Sequence, residues 1–290
     1  MVDAFRPADL AQALQIMADT NPTLLAGGTD LMVRHKTWSG VVPHFEGPVL
    51  LIGHLPELQG IEIRDQRLFI GSAVTLAAIL EHPLVPDHIK SPIAQMASAP
   101  IRNLATLGGN ICNASPAGDS LPMLYALDAG LHLESVQGQQ TVTIQDYITG
   151  PGRTRLNPGQ LLTAIEIPLI KCRAHYYRKV GQRQANSISK VSFYAAADYD
   201  NQHIDWVRIA LGAVAPTVVR IPAAEGLLAG LDVSELKAAI PAVINKYQEL
   251  LSPVDDVRST QLYRREVSLR LLDDYLTQDL LKKVSGETSP

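Results

Sequence analysis

Cysteine is scarce: Cys112 and Cys172 are the only two in a chain of 290 residues. An all-cysteine iron–sulfur cluster needs four thiolates, so this chain alone holds none, and a four-cysteine zinc site fails on the same count. Two cysteines make no disulfide framework, which fits a reducing compartment, and each reads as a small buried side chain. Aromatic residues are 5%, too few for a platform on which single-stranded nucleic acid stacks. Basic charge is not in excess. Lys plus Arg number 25 against 29 Asp plus Glu, a net charge of −4, and no Lys/Arg run supplies the patch that phosphate backbones need. No apolar run approaches the roughly 18 residues of a membrane span. The opening MVDAFRPADL lacks the basic and apolar regions of a secretory signal. The expected location is the cytoplasm.

Motifs are missing too. A GxGxxG after a first strand, the GxxxxGKS/T phosphate loop, the GxSxG elbow and HExxH are all absent, which argues against the corresponding nucleotide, hydrolase and zinc chemistries. Eight histidines show no i, i+3 or i, i+4 pair, so no metal site is expected.

What is present is globular: 46% hydrophobic and 19% charged residues, at a length that suggests two domains. Residues 7–18 read as an amphipathic helix on Leu10, Ala13, Leu14 and Met17. Short strands are expected at 23–25 and 49–52, and hairpins at 61–70 around Asp65-Gln66 and at 131–144 around Gln137-Gly138. A strand runs from Leu161 to Ile167 and stops at Pro168. Beyond it, β-rich stretches at 192–199 and 206–214 give way to helices. Leu269, Leu272, Leu276 and Leu280 form one stripe on the last helix, and Arg264, Arg265, Glu266, Asp273 and Asp274 form its charged, solvated or subunit-contacting face. Residues 285–290 are expected to be disordered. The pattern is α+β, with a boundary near residues 168–175.

Two glycine pairs carry the chemistry. In Leu25-Ala26-Gly27-Gly28-Thr29-Asp30-Leu31, glycines let backbone approach a ligand and expose successive N–H groups, a nest for anionic oxygens. Thr29 adds a hydroxyl, and Asp30 is expected to accept from the loop's own N–H groups. The second tract runs from Arg102 through Thr106, Gly108, Gly109 and Asn110, with Asp119 following in SPAGD. Asn110 both donates and accepts, and Asp119 either takes sugar hydroxyls or caps a helix. Two nests suit two linked phosphates, as in a dinucleotide.

AGGTDL, then RNLATLGGN and SPAGD, together resemble the FAD-binding subunits of the molybdenum hydroxylases, the xanthine dehydrogenase family. The likeness continues through LLTAIEIP, through Tyr177-Arg178-Lys179 with Arg183, and through RIALGAVAPT. It implies a vanillyl-alcohol-oxidase (PCMH)-type FAD-binding domain over 1–170, in two α+β subdomains of about 1–55 and 56–170. An α+β C-terminal domain of the CO dehydrogenase flavoprotein type follows over 171–290. It implies FAD as cofactor, with Ala26 to Asp30 around the pyrophosphate, Leu25 and Leu31 among the cofactor-binding residues, and Thr106 to Asn110 completing the cradle. Asp119 would meet sugar or ribityl hydroxyls, Ile165 the adenine, and Lys179 the flavin ring. No catalytic side chain is expected. The implied partners are a molybdopterin-binding large subunit and a 2Fe-2S small subunit, with NAD or another acceptor taking the electrons; isolated chains could form a homodimer. The competing readings are a stand-alone flavin-dependent dehydrogenase or reductase, and an assembly subunit that has lost FAD. One departure stands out: where many relatives have Asp-Ile-Ala after the lysine, this chain reads Asn186-Ser187-Ile188-Ser189.

Overall fold

The computed structural model describes residues 2–36, 38, 40–183, 185–200 and 202–286. The end of the tail expected to be disordered, 287–290, lies outside them. The chain forms two compact units, the first from Met1–Val85, Ala97–Ser115 and Asp128–Leu169, the second from Pro86–Met96, Pro116–Leu127 and Ile170–Pro290. In the second unit the helix Leu121–Ala126 packs on the strands that follow residue 170.

The first unit begins with three short parallel strands, β1 (Ala4–Phe5), β2 (Thr23–Leu25) and β3 (Val49–Leu51), in the order β1-β3-β2. The first helix spans Leu10–Thr20 and buries Ala13, Leu14 and Met17. It starts later than the periodicity predicts, because the Asp9 carboxylate accepts from the Gln12 N–H at 2.8 Å and sets the boundary. Its buried face joins Leu50, Ile52, Leu55 and Leu58 in one apolar cluster.

The five-stranded antiparallel sheet of this unit comprises β4 (Ile61–Arg64), β5 (Arg67–Gly71), β6 (Gly130–Ser135), β7 (Gly138–Thr143) and β10 (Leu161–Pro168). A two-stranded ribbon, β8 (Ile148–Gly150) and β9 (Arg153–Thr154), lies between β7 and β10 in sequence. The sheet order is β4-β5-β10-β6-β7, so the last strand in sequence is the central one. Asp65 and Gln66 both take positive φ (47° and 58°), the two-residue turn that matches strand twist. The second hairpin turns earlier than expected, at Val136-Gln137, with Gly138 already opening β7.

The second unit holds a four-stranded antiparallel sheet, β11 (Ala174–Val180), β12 (Val191–Asp200), β13 (His203–Gly212) and β14 (Val219–Arg220). Val191, Phe193, Ala195 and Ala197 point into a core shared with the helices Val233–Leu250 and Gln261–Asp274. Of the leucine stripe, Leu272, Leu276 and Leu280 are fully buried and Leu269 is half-buried against the same core; a π-helical turn spans Tyr275–Leu280. Arg264 departs from the charged-face expectation. It is 3% exposed and donates to the carbonyls of Lys190 (2.8 Å) and Ala213 (3.1 Å) and to Asp256 (2.8 Å). The cysteines also correct the expectation, since Cys112 is exposed and Cys172 half-buried; both are free.

Candidate cofactor site

In the first unit, loop 26–30 leaves the carboxyl end of β2, beside β3, where the Ile52 N–H donates to the Leu25 carbonyl at 3.0 Å. Ligands favour that end of parallel strands. Among the described residues, none of the backbone N–H groups of Gly27, Gly28, Thr29 and Asp30 donates to a protein acceptor. Gly28 sits at φ +70°, in the left-handed region that L side chains seldom adopt. Gly27 is required by packing: a Cβ there would lie 1.8 Å from the Leu104 carbonyl oxygen. The two tracts found in the sequence thus meet in space, at backbone distance.

Asp30 does not brace the loop as expected. Its carboxylate forms no cap hydrogen bond and instead pairs with Arg34 at 3.0 Å, one turn along the short helix Leu31–Arg34. The Arg34 cation partly offsets this charge next to the open N–H groups.

The second glycine pair behaves differently. Gly108 and Gly109 lie in the first turn of the helix Leu107–Asn113, capped by the buried Thr106. The N–H groups of Leu107, Gly108, Gly109 and Asn110 go to Val74 O, Ser72 O, Thr106 Oγ1 and Thr106 O, so this tract is no open nest. Gly108 is needed because a Cβ would lie 2.5 Å from the Ser72 carbonyl oxygen. Gly109 is exposed and Asn110 half-buried. Ile165 has no accessible side-chain surface; it sits in β10 opposite Ile70 and Leu131.

In the second unit, Asp119 precedes the helix Leu121–Ala126 without capping it. Both of its carboxylate oxygens are engaged. Lys179 Nζ donates to Oδ2 at 2.7 Å, and the Ser189 hydroxyl donates to Oδ1. Asp119 is 7% exposed, Ser189 is fully buried, and the Lys179 side chain retains 5% of its surface. A second Lys179 bond, at 3.3 Å, reaches the Gln95 carbonyl. Burial, with the Asp119 carboxylate nearby, holds the Tyr177 phenol well above its ordinary pKa. The sequence reading placed Lys179 at the flavin ring and did not find its partner. The pairing joins positions 60 residues apart in sequence, and Ser189 is a further 10 positions along.

Comparison with known proteins divides the chain once along its sequence, and the first match includes the segments 86–96 and 116–127 that pack in the second unit. Residues 1–170 match the FAD binding domain in molybdopterin dehydrogenase, and residues 175–278 match the CO dehydrogenase flavoprotein C-terminal domain. The putative xanthine dehydrogenase FAD-binding subunit of Escherichia coli strain K12 is 33% identical over 97% of this chain and 94% of its own length. The nicotinate dehydrogenase FAD-subunit of Eubacterium barkeri is 28% identical, with 97% of each chain covered. Among solved structures, a chain of cyanide-inactivated Cu,Mo-CO dehydrogenase superposes with a TM-score of 0.84 at 25% identity, covering 93% of this chain and 94% of that one.

Proposed function

Since this chain belongs to the family of FAD-binding subunits of the molybdopterin dehydrogenases, we propose that it carries electrons through FAD between a molybdenum-containing partner and a soluble acceptor. Its cofactor is FAD, and its class is oxidoreductase. The observation that carries the residue assignment is the run of four unpartnered N–H groups in loop 26–30. Such a loop fits a pyrophosphate, whose oxygens supply the acceptors the protein does not.

In this reading Ala26 to Asp30 hold the pyrophosphate, with the Thr29 hydroxyl as a further donor. Leu25 and Leu31 anchor the two ends of the loop. Thr106 and Gly108 support it by fixing the tract that carries Leu104. Gly109 and Asn110 present the accessible edge of their helix. Asp119 accepts from ribose or ribityl hydroxyls. Ile165 acts only through the sheet it stiffens. Bound FAD supplies the redox chemistry, and the chain binds, orients and shields it. With two cysteines and no cluster ligands of its own, the chain receives electrons from a partner that carries 2Fe-2S centres and passes them to NAD or another acceptor.

The test is a visible spectrum and a flavin assay of the purified protein. A flavin band near about 450 nm is expected, in keeping with a protein that supplies the binding. Gly27→Ala should lower flavin content at least several-fold, because its methyl would overlap the Leu104 carbonyl and displace the loop. Colourless wild-type protein that takes up no added FAD would overturn the reading; normal flavin in Gly27→Ala would overturn the loop assignment.

A further inference from the structure

Asp119 is the acid proposed to meet the flavin nucleotide's hydroxyls, yet nothing in its own segment orients it. The helix beside it takes no cap bond from its side chain. Its orientation comes from the strand β11 and from the segment that leads into β12. Lys179, near the end of β11, takes one oxygen, and Ser189, two residues before β12, takes the other. These two donors approach different oxygens, so the plane and rotation of the carboxylate are both defined. A carboxylate offers about four lone-pair directions; these donors take two, and the buried Tyr177 phenol lies beside the same carboxylate.

The support behind the two donors is also built in. Lys179 lies opposite Ser192 in the β11/β12 ladder, and its Nζ is tied back to the Gln95 carbonyl. Lys190, next to Ser189, is held through its carbonyl by the buried Arg264 at 2.8 Å. Arg264 also grips the Ala213 carbonyl, and the Ala213 N–H donates to Pro116 at 2.8 Å, three residues before Asp119. Arg264 thereby ties the segment carrying Ser189 to the segment carrying Asp119. A buried acid held this way has little freedom to turn, and ordered groups cost less to use in binding.

We infer that Ser189 and Lys179 are positioning residues that fix the Asp119 carboxylate in the orientation in which it accepts hydroxyls of FAD, so that Ser189 sets cofactor affinity without touching the cofactor. This rests on the FAD reading above. Ser189 is the informative position, because its hydroxyl can be removed without creating a charge. Removal of Lys179 leaves a buried carboxylate unpaired, a change that destabilises the fold itself.

The experiment titrates flavin-stripped protein with FAD, FMN and ADP, followed by fluorescence for the flavins and calorimetry for ADP. Wild type, Ser189→Ala, Asp119→Asn and the double variant are compared, each with its thermal unfolding midpoint in the stripped form. Ser189→Ala should weaken FAD about tenfold, the scale of one hydrogen bond to a charged group, while its stripped midpoint stays near wild type. The same change should have much less effect in Asp119→Asn, since it acts through that carboxylate. A loss shared with FMN assigns the ribityl hydroxyls; one shared with ADP assigns the ribose. Unchanged FAD affinity in Ser189→Ala, or losses that simply add in the double variant, would overturn the inference while leaving the FAD reading intact. Wild-type protein that binds no FAD overturns both.

Discussion

The imidazole of His88 lies 6.4 Å from that of His175, ring centre to ring centre, and its buried Nε2 finds no partner among the described residues. Burial, with His175 adding to it, pushes its pKa down to about 4. An unfolded histidine takes its proton near 6.5, so between the two values the unfolded chain binds more protons. Stability present above pH 6.5 is therefore lost as pH falls towards 4, by about 3 kcal/mol in all. Unfolding midpoints at pH 7.5 and pH 5 should drop more for wild type than for His88→Gln; equal drops would refute the assignment. The pair was invisible in the sequence because His88 is helical and His175 lies in a strand, 87 positions away. The glycines were legible as positions that exclude a Cβ, but the reasons split. Gly27 and Gly108 make room for backbone, whereas Gly28 supplies a left-handed φ. Which pair kept free N–H groups could not be read, because hydrogen-bond partners such as Ser72 and Val74 come from another segment.

At the scale of elements, threonine hydroxyls set two helix starts. Thr75 caps the helix Leu76–Glu81, its hydroxyl accepting from the Ala78 N–H at 3.2 Å. Thr106 plays the same part for Leu107–Asn113, accepting from Gly109 at 3.0 Å. Thr106→Val should cost about 1 kcal/mol of stability through the lost cap. It should also loosen the tract that backs loop 26–30. Chemical denaturation measures the first effect, and a raised FAD dissociation rate reports the second. Strand identities were legible from alternation, as in Leu161–Ile167, but pairing was not. Nothing local in LLTAIEIP says that it sits between β5 and β6, since that choice depends on which edges remain open once the hairpins form. Arg264 shows the same limit. A basic residue on an amphipathic helix reads as solvated until two carbonyls and an acid are found around it.

For the whole molecule, the scarcity of cysteine becomes a statement about company. Under the proposed function, a flavin subunit without four cysteines of its own exchanges electrons through a second chain that carries the clusters. Co-expression with a molybdopterin-binding chain and a 2Fe-2S chain should give one complex on size exclusion with flavin, iron and molybdenum together. Elution of the flavin chain apart from both would count against the proposed partnership. No helix among the described residues is long and apolar enough to cross a membrane. The order β4-β5-β10-β6-β7 adds a condition in time. While the chain is being synthesised, β5 and β6 each wait with an open edge until residue 168 has emerged from the ribosome. The contact of Gly27 with Leu104 likewise spans 77 positions and closes only after long-range docking. Exposed edges of this kind invite pairing with other nascent chains. The first unit thus completes its largest sheet only at the end of its own synthesis, when β10 closes the gap between β5 and β6.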